Sequence, residues 1–497
     1  MRETLLAITL IASGLLVFLR LHKSLRAPFP PGPKPQLLVG NMLDIMASEP
    51  WLLYMRWEKV YQSKILGLTL PGKRMVILNS AEDAIELLEK RAGIYSDRTR
   101  IPLIELVGWT FDTGLMRNNE RWRSERKIFH QTFKRESVEL FLPIQTAKVH
   151  AMLRQLLSNP ECFADHYKML SAAVILEIVF GYEVRSKNDR IIQVLERAIS
   201  ELIENGNNSS VAALNVFPTL RYLPRWMPGT GFHRVVDDCR QYTKDMLDIP
   251  FEYVKDSMSK GQSKPSLVSS LLEKNQIAEE SIKGIGGTAF SGIQVISVLE
   301  CFFFAMSLHR DKQREAQGEI DRVVGPDRLP TFEDRDSLPY IDAIIREALR
   351  WLPPSPLTVP HVAQEDDIYK GKTDGRFDPR AMSHDKTKYE DPESFIPERF
   401  IDENGKLKEN MRILAFGFGR RLCPGLHLAI NTVWLTVATV LATFNIGPPY
   451  DGAGNSIKFQ QVYTKADVLH MKPYNCAIEP RSTNARKLVE ETEYTTG

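Results

Sequence analysis

Ten consecutive residues, Phe416-Gly417-Phe418-Gly419-Arg420-Arg421-Leu422-Cys423-Pro424-Gly425, place one cysteine between glycines, with arginines just before it and an apolar run just after it. That setting suits a thiolate that binds a metal, is shielded from water and stays unreactive. Phe416, Gly419, Arg421, Cys423 and Gly425 at this spacing would arise by chance on the order of once in ten thousand chains of this length. The other four cysteines, Cys162, Cys239, Cys301 and Cys476, are scattered and form no C-x-x-C pair, which argues against a zinc site or a disulfide framework. They read as small buried apolar residues.

Two further groups carry charge at helical spacing. Glu347 and Arg350, in Glu347-Ala348-Leu349-Arg350, lie three apart and share one helix face. Alone, such a pair is most often a surface salt bridge of little worth. Trp122 and Arg126, in Trp122-Arg123-Ser124-Glu125-Arg126-Lys127, lie four apart and present an indole N–H and a guanidinium fork on one face. Both donate to anions. Arg121, Arg123 and Lys127 then point outward, where they form a basic face.

The elements that must hold these residues are mainly helical. Apolar residues recur at three- and four-residue spacing over residues 81–91, 121–134, 310–324 and 341–351. Short extended pieces are predicted over 63–79, with Pro71-Gly72 as a turn. Residues 424–450 carry no Asp, Glu, Lys or Arg. By length they could span a membrane, but Pro424-Gly425 opens the run and Asn431, Thr432, Thr436, Thr439 and Thr443 punctuate it, as in a buried core helix. A helix starting directly after Cys423 would aim its N-terminal dipole at the sulfur and lower its pKa. The 497 residues, 43% hydrophobic and 25% charged, give ample core for one large body. The net charge of +2 gives no reason to expect nucleic acid as a partner.

The N-terminus reads as a membrane anchor. Residues 4–19 carry no charge, and Arg20, His22, Lys23 and Arg26 follow. A cleavable signal peptide fits less well, because basic residues and prolines follow the apolar run in place of a small-residue cleavage site. The basic flank keeps the remainder of the chain in the cytoplasm. The overlapping sequons at Asn207 and Asn208 would then stay unglycosylated. Pro28-Phe29-Pro30-Pro31-Gly32-Pro33-Lys34-Pro35 predicts a stiff spacer. The expected layout is an anchor over 1–23, a proline-rich linker over 24–40 and a catalytic domain over 41–497.

The loop Phe416–Gly425 resembles the cysteine-ligand loop of the cytochrome P450 family, the haem-thiolate monooxygenases. A cysteine-phosphatase loop is excluded, since it needs an arginine six residues after its nucleophile and Ala429 stands there. The resemblance implies that Cys423 binds haem iron as the proximal ligand. Glu347-Ala348-Leu349-Arg350 is similar to the family's E-x-x-R helix and Pro397-Glu398-Arg399-Phe400 to its P-E-R-F element; these imply a buried triad of Glu347, Arg350 and Arg399. The stretch from Trp122 is similar to the W-x-x-x-R helix, so Trp122 and Arg126 would meet the haem propionates, with His361 of Val359-Pro360-His361 and Arg421. Phe416 completes the haem-binding loop. By position, Ile101, Leu103, Ile104, Phe290, Ile293, Leu357 and Val359 would wall the substrate pocket.

Two stretches depart from the family pattern. Its central helix usually carries an acid beside an alcohol, A-G-x-D-T, to relay protons. Here Ala289-Phe290-Ser291-Gly292-Ile293-Gln294-Val295-Ile296-Ser297 has neither at the expected place, and Gln294 is no general acid. Glu300 lies too far along the helix to replace it. The piece Gly371-Lys372-Thr373-Asp374-Gly375-Arg376-Phe377-Asp378-Pro379-Arg380 looks short and without strand character.

The resemblance therefore implies a mainly α fold, a single large helical P450-type domain with a minor β-sheet and an N-terminal transmembrane helix. It implies haem b as cofactor, O2, an apolar small-molecule substrate and NADPH-cytochrome P450 reductase as electron donor, at the endoplasmic reticulum membrane lipid. Residues 215–229 look like those of fungal members, which suggests secondary metabolites such as terpenoids, or xenobiotics. The missing acid–alcohol pair keeps three alternatives open: a haem-thiolate isomerase or lyase, an impaired haem-binding protein, and a membrane protein with a purely structural cysteine loop.

Overall fold

The computed structural model describes residues 29–450 and 474–493, apart from 38, 46–48, 71–72, 185, 187, 207–210, 212–213, 216–217, 293–294, 366, 368, 370–375 and 409–410. The expected anchor, the Pro71-Gly72 turn, both sequons, Ile293-Gln294 and half of the 371–380 segment lie outside the described residues.

The body is mainly helical, as its apolar periodicity predicts. Helix α1 (Glu120–Phe133) starts where Asn119 caps it, accepting the Trp122 N–H at 2.8 Å. Trp122, Phe129 and Phe133 are buried from it, while Arg121, Arg123 and Lys127 are exposed. Helix α2 (Phe163–Phe180) is apolar nearly all round and correspondingly buried. Helix α3 (Arg190–Gly206) is amphipathic and packs on the long helix Phe232–Ser259. Helices α4 (Glu279–Ser291) and α5 (Val295–Leu308) succeed one another around Gly292. Glu300, on α5, is buried away from the cavity described below, and the Tyr167 hydroxyl donates to it at 3.4 Å. Helix α6 (Pro339–Trp351) begins on a proline, whose missing N–H costs nothing in a first turn. Helix α7 (Leu426–Thr443) is the uncharged core helix.

The structure shortens that last element relative to expectation. The run 424–450 is helical only to Thr443; Phe444–Tyr450 forms a strand. Pro448 and Pro449 lack the N–H that a helix needs. The threonines sit comfortably inside α7 because their hydroxyls donate to carbonyls one turn back: Thr432 to Leu428 at 3.0 Å, and Thr436, Thr439 and Thr443 to Thr432, Leu435 and Thr439 at 2.7 Å. Polar punctuation thus coexists with full burial.

The sheets are small. Strands β1 (Ile65–Leu70) and β2 (Lys73–Leu78) pair antiparallel. Strand β3 (Asp97–Arg98) pairs antiparallel with β4 (His361–Val362), setting Arg98 opposite His361. Strand β5 (Arg376–Phe377) pairs parallel with β2, so the segment expected to lack strand character contributes two strand residues. The end of β2 supplies the partner, and the Asp378 N–H extends the contact to the Leu78 carbonyl at 2.9 Å. Strand β6 (Phe444–Tyr450) pairs with β7 (Asn475–Pro480). The proline-rich segment from Phe29 lies on the first sheet: the Gly67 N–H donates to the Pro31 carbonyl at 2.9 Å and the Asn41 N–H to that of Thr69 at 2.7 Å.

Two features fix the cysteine loop to this frame. Glu347 is fully buried and bonds Arg350 at 2.6 and 2.8 Å, Arg399 at 3.2 Å and the Ile396 N–H at 2.7 Å. Arg350 donates its other N–H groups to the carbonyls of Ser383, Pro392 and Ser394. The predicted triad therefore staples residues 383–399 onto α6. Nearer the cysteine, Gly419 has φ +54°, and a Cβ there would stand 2.0 Å from the Leu88 carbonyl oxygen. Only glycine permits this approach.

The Glu347→Gln substitution leaves two buried guanidiniums uncompensated and is expected to cost about 3–5 kcal/mol, read as a lower midpoint of denaturant unfolding. Gly419→Ala is expected to abolish the docked loop and the yield of soluble folded protein; a normal yield with unchanged melting would refute the close approach.

Candidate active site

Cys423 stands two residues before Gly425, the N-cap of α7. Its own N–H donates to the Phe416 carbonyl at 2.9 Å, closing the loop. Burial pushes the thiol pKa up; a hydrogen bond from the Gly425 N–H and the charge of Arg126 oppose it without cancelling it. The helix N-terminus therefore does not lower the pKa overall, contrary to expectation, because desolvation outweighs it. A cation at the sulfur would favour the thiolate.

The sulfur opens onto a cavity of about 440 Å³. Its walls are mostly apolar and include Phe129 of α1, Val174 and Ile175 of α2, Ile199 and Leu202 of α3, Ala289 of α4 and Leu428 of α7. Three cations line it as well: Arg98, Arg126 and Arg421. Among the described residues none of the three has a carboxylate within ion-pair distance. Arg98 donates to the carbonyls of Gly114 at 2.9 Å and Val359 at 2.6 Å. Arg421 donates to those of Ser96, Thr113 and Met116 at 2.8, 3.0 and 2.9 Å. Arg126 donates to that of Leu422. Burial lowers all three pKa values, that of Arg98 to about 9 and that of Arg421 to about 10; Arg421 adds to the effect on Arg98, and Arg126 to that on Arg421. Trp122 lines the same cavity, with its ring 3.9 Å from the Arg421 guanidinium carbon.

Of the residues expected at the site, Cys423, Trp122, Arg126 and Arg421 therefore converge on one cavity. His361 does not line it. Its Nδ1 lies 2.6 Å from the Tyr95 carbonyl, and burial, with the charges of Arg98 and Arg421, drives its pKa down to about 3, so the ring is neutral. Arg98, its partner across the β3–β4 pair, supplies the charge instead. Nothing local in the sequence marks Arg98; only that long-range pairing brings it in. Phe416 contributes its carbonyl to the loop, while its ring packs against the main core. Of the expected pocket wall, only Val359 lines the cavity. Leu103, Phe290 and Leu357 are core, Ile101 and Ile104 line a separate depression, and Ile293 lies outside the described residues.

The donor set restricts what metal group can fit. Among the described residues no three His, Cys, Asp or Glu side chains cluster to hold an ion. A metal on Cys423 must bring its other ligands with it. The cavity adds apolar walls, an indole and three guanidiniums with no described carboxylate at ion-pair distance, a setting that suits a group with two negative charges. An iron porphyrin with two propionates has these properties.

The sequence model of the family Cytochrome P450 matches residues 30–474. The chain is 34% identical to cytochrome P450 monooxygenase claR of Ampulloclitocybe clavipes, over 97% of this chain and 92% of that protein. It is 36% identical to cytochrome P450 monooxygenase 208 of Postia placenta, over 97% and 96%. It is 32% identical to tryptamine 4-monooxygenase of Psilocybe cyanescens, over 97% and 99%. A match across nearly the full length, carried by a chain whose one cavity-facing sulfur lies among three unpaired arginines, leaves a single conclusion: this protein belongs to the cytochrome P450 family and is a P450 monooxygenase.

Proposed function

We propose that Cys423 binds the iron of haem b and that Arg98, Arg126, Arg421 and the Trp122 N–H hold its propionates. The observation that carries this reading is the convergence of that cysteine and three arginines, none with a carboxylate within ion-pair distance among the described residues, on one cavity. The bound haem supplies the oxygen chemistry by which the family inserts one atom of O2 into a substrate. The protein's own part is to fix and shield. The loop clamps Cys423 by its backbone, Gly425 donates to the sulfur, and the apolar walls from α2, α3 and α4 exclude water and receive an apolar small molecule. A fungal secondary metabolite such as a terpenoid, or a xenobiotic, fits such walls.

Electrons come from NADPH through NADPH-cytochrome P450 reductase. The exposed Arg123 and Lys127, on the outer face of α1, offer a basic docking surface on the same helix as Arg126. The layout is an anchor over 1–23, a linker over 24–40 and a catalytic domain over 41–497, held at the endoplasmic reticulum membrane. Two helical stretches, Glu279–Leu308 and Leu426–Thr443, are also long and apolar enough to cross a bilayer, but 73% and 67% of their apolar windows are buried in the protein, as suits core helices.

A second reading, a haem-thiolate isomerase or lyase that needs no reductase, rests on the stretch Ala289–Ser297, where the acid–alcohol pair is missing. Product formation that needs neither NADPH nor reductase would establish it over the monooxygenase.

Cys423→Ser is expected to lose the thiolate signature in the absorption spectrum of the reduced, CO-bound protein; an identical spectrum overturns the assignment. Arg98→Gln is expected to lower the ratio of haem to protein absorbance more than His361→Ala does, since only Arg98 lines the cavity. Placing Asp-Thr at Ile293-Gln294 or at Gln294-Val295 is expected to reduce the hydrogen peroxide released per NADPH consumed; no change in either variant counts against the monooxygenase.

A further inference from the structure

The cavity contains one acidic group that the foregoing leaves without a task. Among the described residues that line it, Asp112 is the one carboxylate. It follows the single turn Trp109–Phe111 and is held on both oxygens. Oδ1 accepts the Gly114 N–H at 2.7 Å and the Leu115 N–H at 3.3 Å; Oδ2 accepts the Ser291 hydroxyl at 2.8 Å. The turn is tied to α4 a second time: the Thr113 N–H donates to Thr288 Oγ1 and that hydroxyl donates to the Phe111 carbonyl, both at 3.3 Å. The carboxyl is therefore fixed on a rigid support. Oδ2 carries a single donor and retains room for another.

No cation reaches Asp112 within ion-pair distance among the described residues. Arg98 acts on it only through longer-range charge, because its N–H groups go to the carbonyls of Gly114, Val359 and Pro360. Burial raises the pKa of the carboxyl, and the three hydrogen bonds and Arg98 only partly offset this. A buried carboxylate without a counter-ion costs free energy that a cationic ligand would restore. Trp109, three residues earlier, lines the same cavity and brings an aromatic ring, a favoured neighbour of an ammonium group. Two haem propionates would offset two of the three arginine charges, and the N–H groups of Arg98 are committed to carbonyls and not to Asp112.

We propose that Asp112 is a specificity-determining residue that anchors a protonated amine, so that the preferred substrates are largely apolar molecules bearing one basic nitrogen. This rests on the monooxygenase reading above and narrows its substrate class. The Ser291 hydroxyl takes one acceptor position of Oδ2 and leaves another open to the ligand.

The test uses the haem-loaded full chain and a matched pair of probes. N,N-dimethyl-2-phenylethylamine is cationic and too crowded at nitrogen to be a good iron ligand; isopentylbenzene is its uncharged carbon isostere. Calorimetry gives the dissociation constant of each. Asp112→Asn, which keeps the shape and can still accept the Gly114 and Leu115 N–H groups, is expected to weaken the amine about ten-fold and to leave the isostere within two-fold. Asp112→Glu, which keeps the charge, should retain most of the amine affinity. Equal loss for both probes in Asp112→Asn, or no loss of the amine, overturns the proposal. Where that variant does not fold, Ser291→Ala decides: freeing Oδ2 should leave the amine bound at least as tightly, and a ten-fold loss overturns the proposal. The reduced, CO-bound spectrum of each protein reports separately on the haem-thiolate bond, so failure of the family-level assignment is visible apart from failure of the amine site.

Discussion

Uncompensated positive charge around one sulfur sets the terms for the rest of this molecule. Arg98, Arg126 and Arg421 all line the cavity onto which Cys423 opens, and their N–H groups find only backbone carbonyls. Carbonyls satisfy donors but do not neutralise charge, and an unpaired buried charge costs several kcal/mol. Two arginines behind the loop are treated differently. Arg350 and Arg399 share Glu347, and every described donor of that cluster is used. Where the arginines hold the chain together, the chain supplies the anion at contact distance; where they face the cavity, no described carboxylate lies within ion-pair distance, and a haem propionate is the anion we propose. The contrast makes haem binding a part of the folded state's electrostatics.

The thiol follows the same logic from the opposite sign. Burial disfavours its ionised form, and the Gly425 N–H and the Arg126 charge fall short of reversing that. Loop geometry supplies a place for a thiolate; the iron we propose there would supply its stability. Rigidity of the place comes from outside the loop, through Gly419 pressed against the Leu88 carbonyl and through the Glu347 staple behind it.

Motifs built on a single element could be read directly from the sequence. Trp122 and Arg126 share a helix face, Glu347 and Arg350 share another, and the cysteine loop is continuous in the chain; each took its place because local spacing alone decides it. The buried core helix was likewise legible despite its threonines, whose hydroxyls bond one turn back and need no partner from elsewhere. What depends on tertiary pairing was not. Arg98 reaches the cavity only because β3 meets β4, and the same pairing withdraws His361. The wall residues Leu103 and Phe290 were misplaced because position along a helix does not reveal which face the neighbouring turn covers. The end of α7 at Thr443 depended on prolines five and six residues further on and on a strand partner that begins at Asn475.

Two charges of opposite sign in one cavity would ordinarily collapse onto each other. Here both are restrained by their own backbone surroundings. Gly114 shows how: its carbonyl accepts from Arg98 and its N–H donates to Asp112, so one peptide neighbour stands between the cation and the acid. Ser291 then holds the other oxygen of the acid against the central helix. The separation preserves a cationic region suited to propionates and an acidic point on an otherwise apolar wall. A cavity meant only for hydrocarbon would gain by replacing Asp112 with an apolar side chain; keeping the carboxylate apart from the arginines makes sense when each is reserved for a different charged partner.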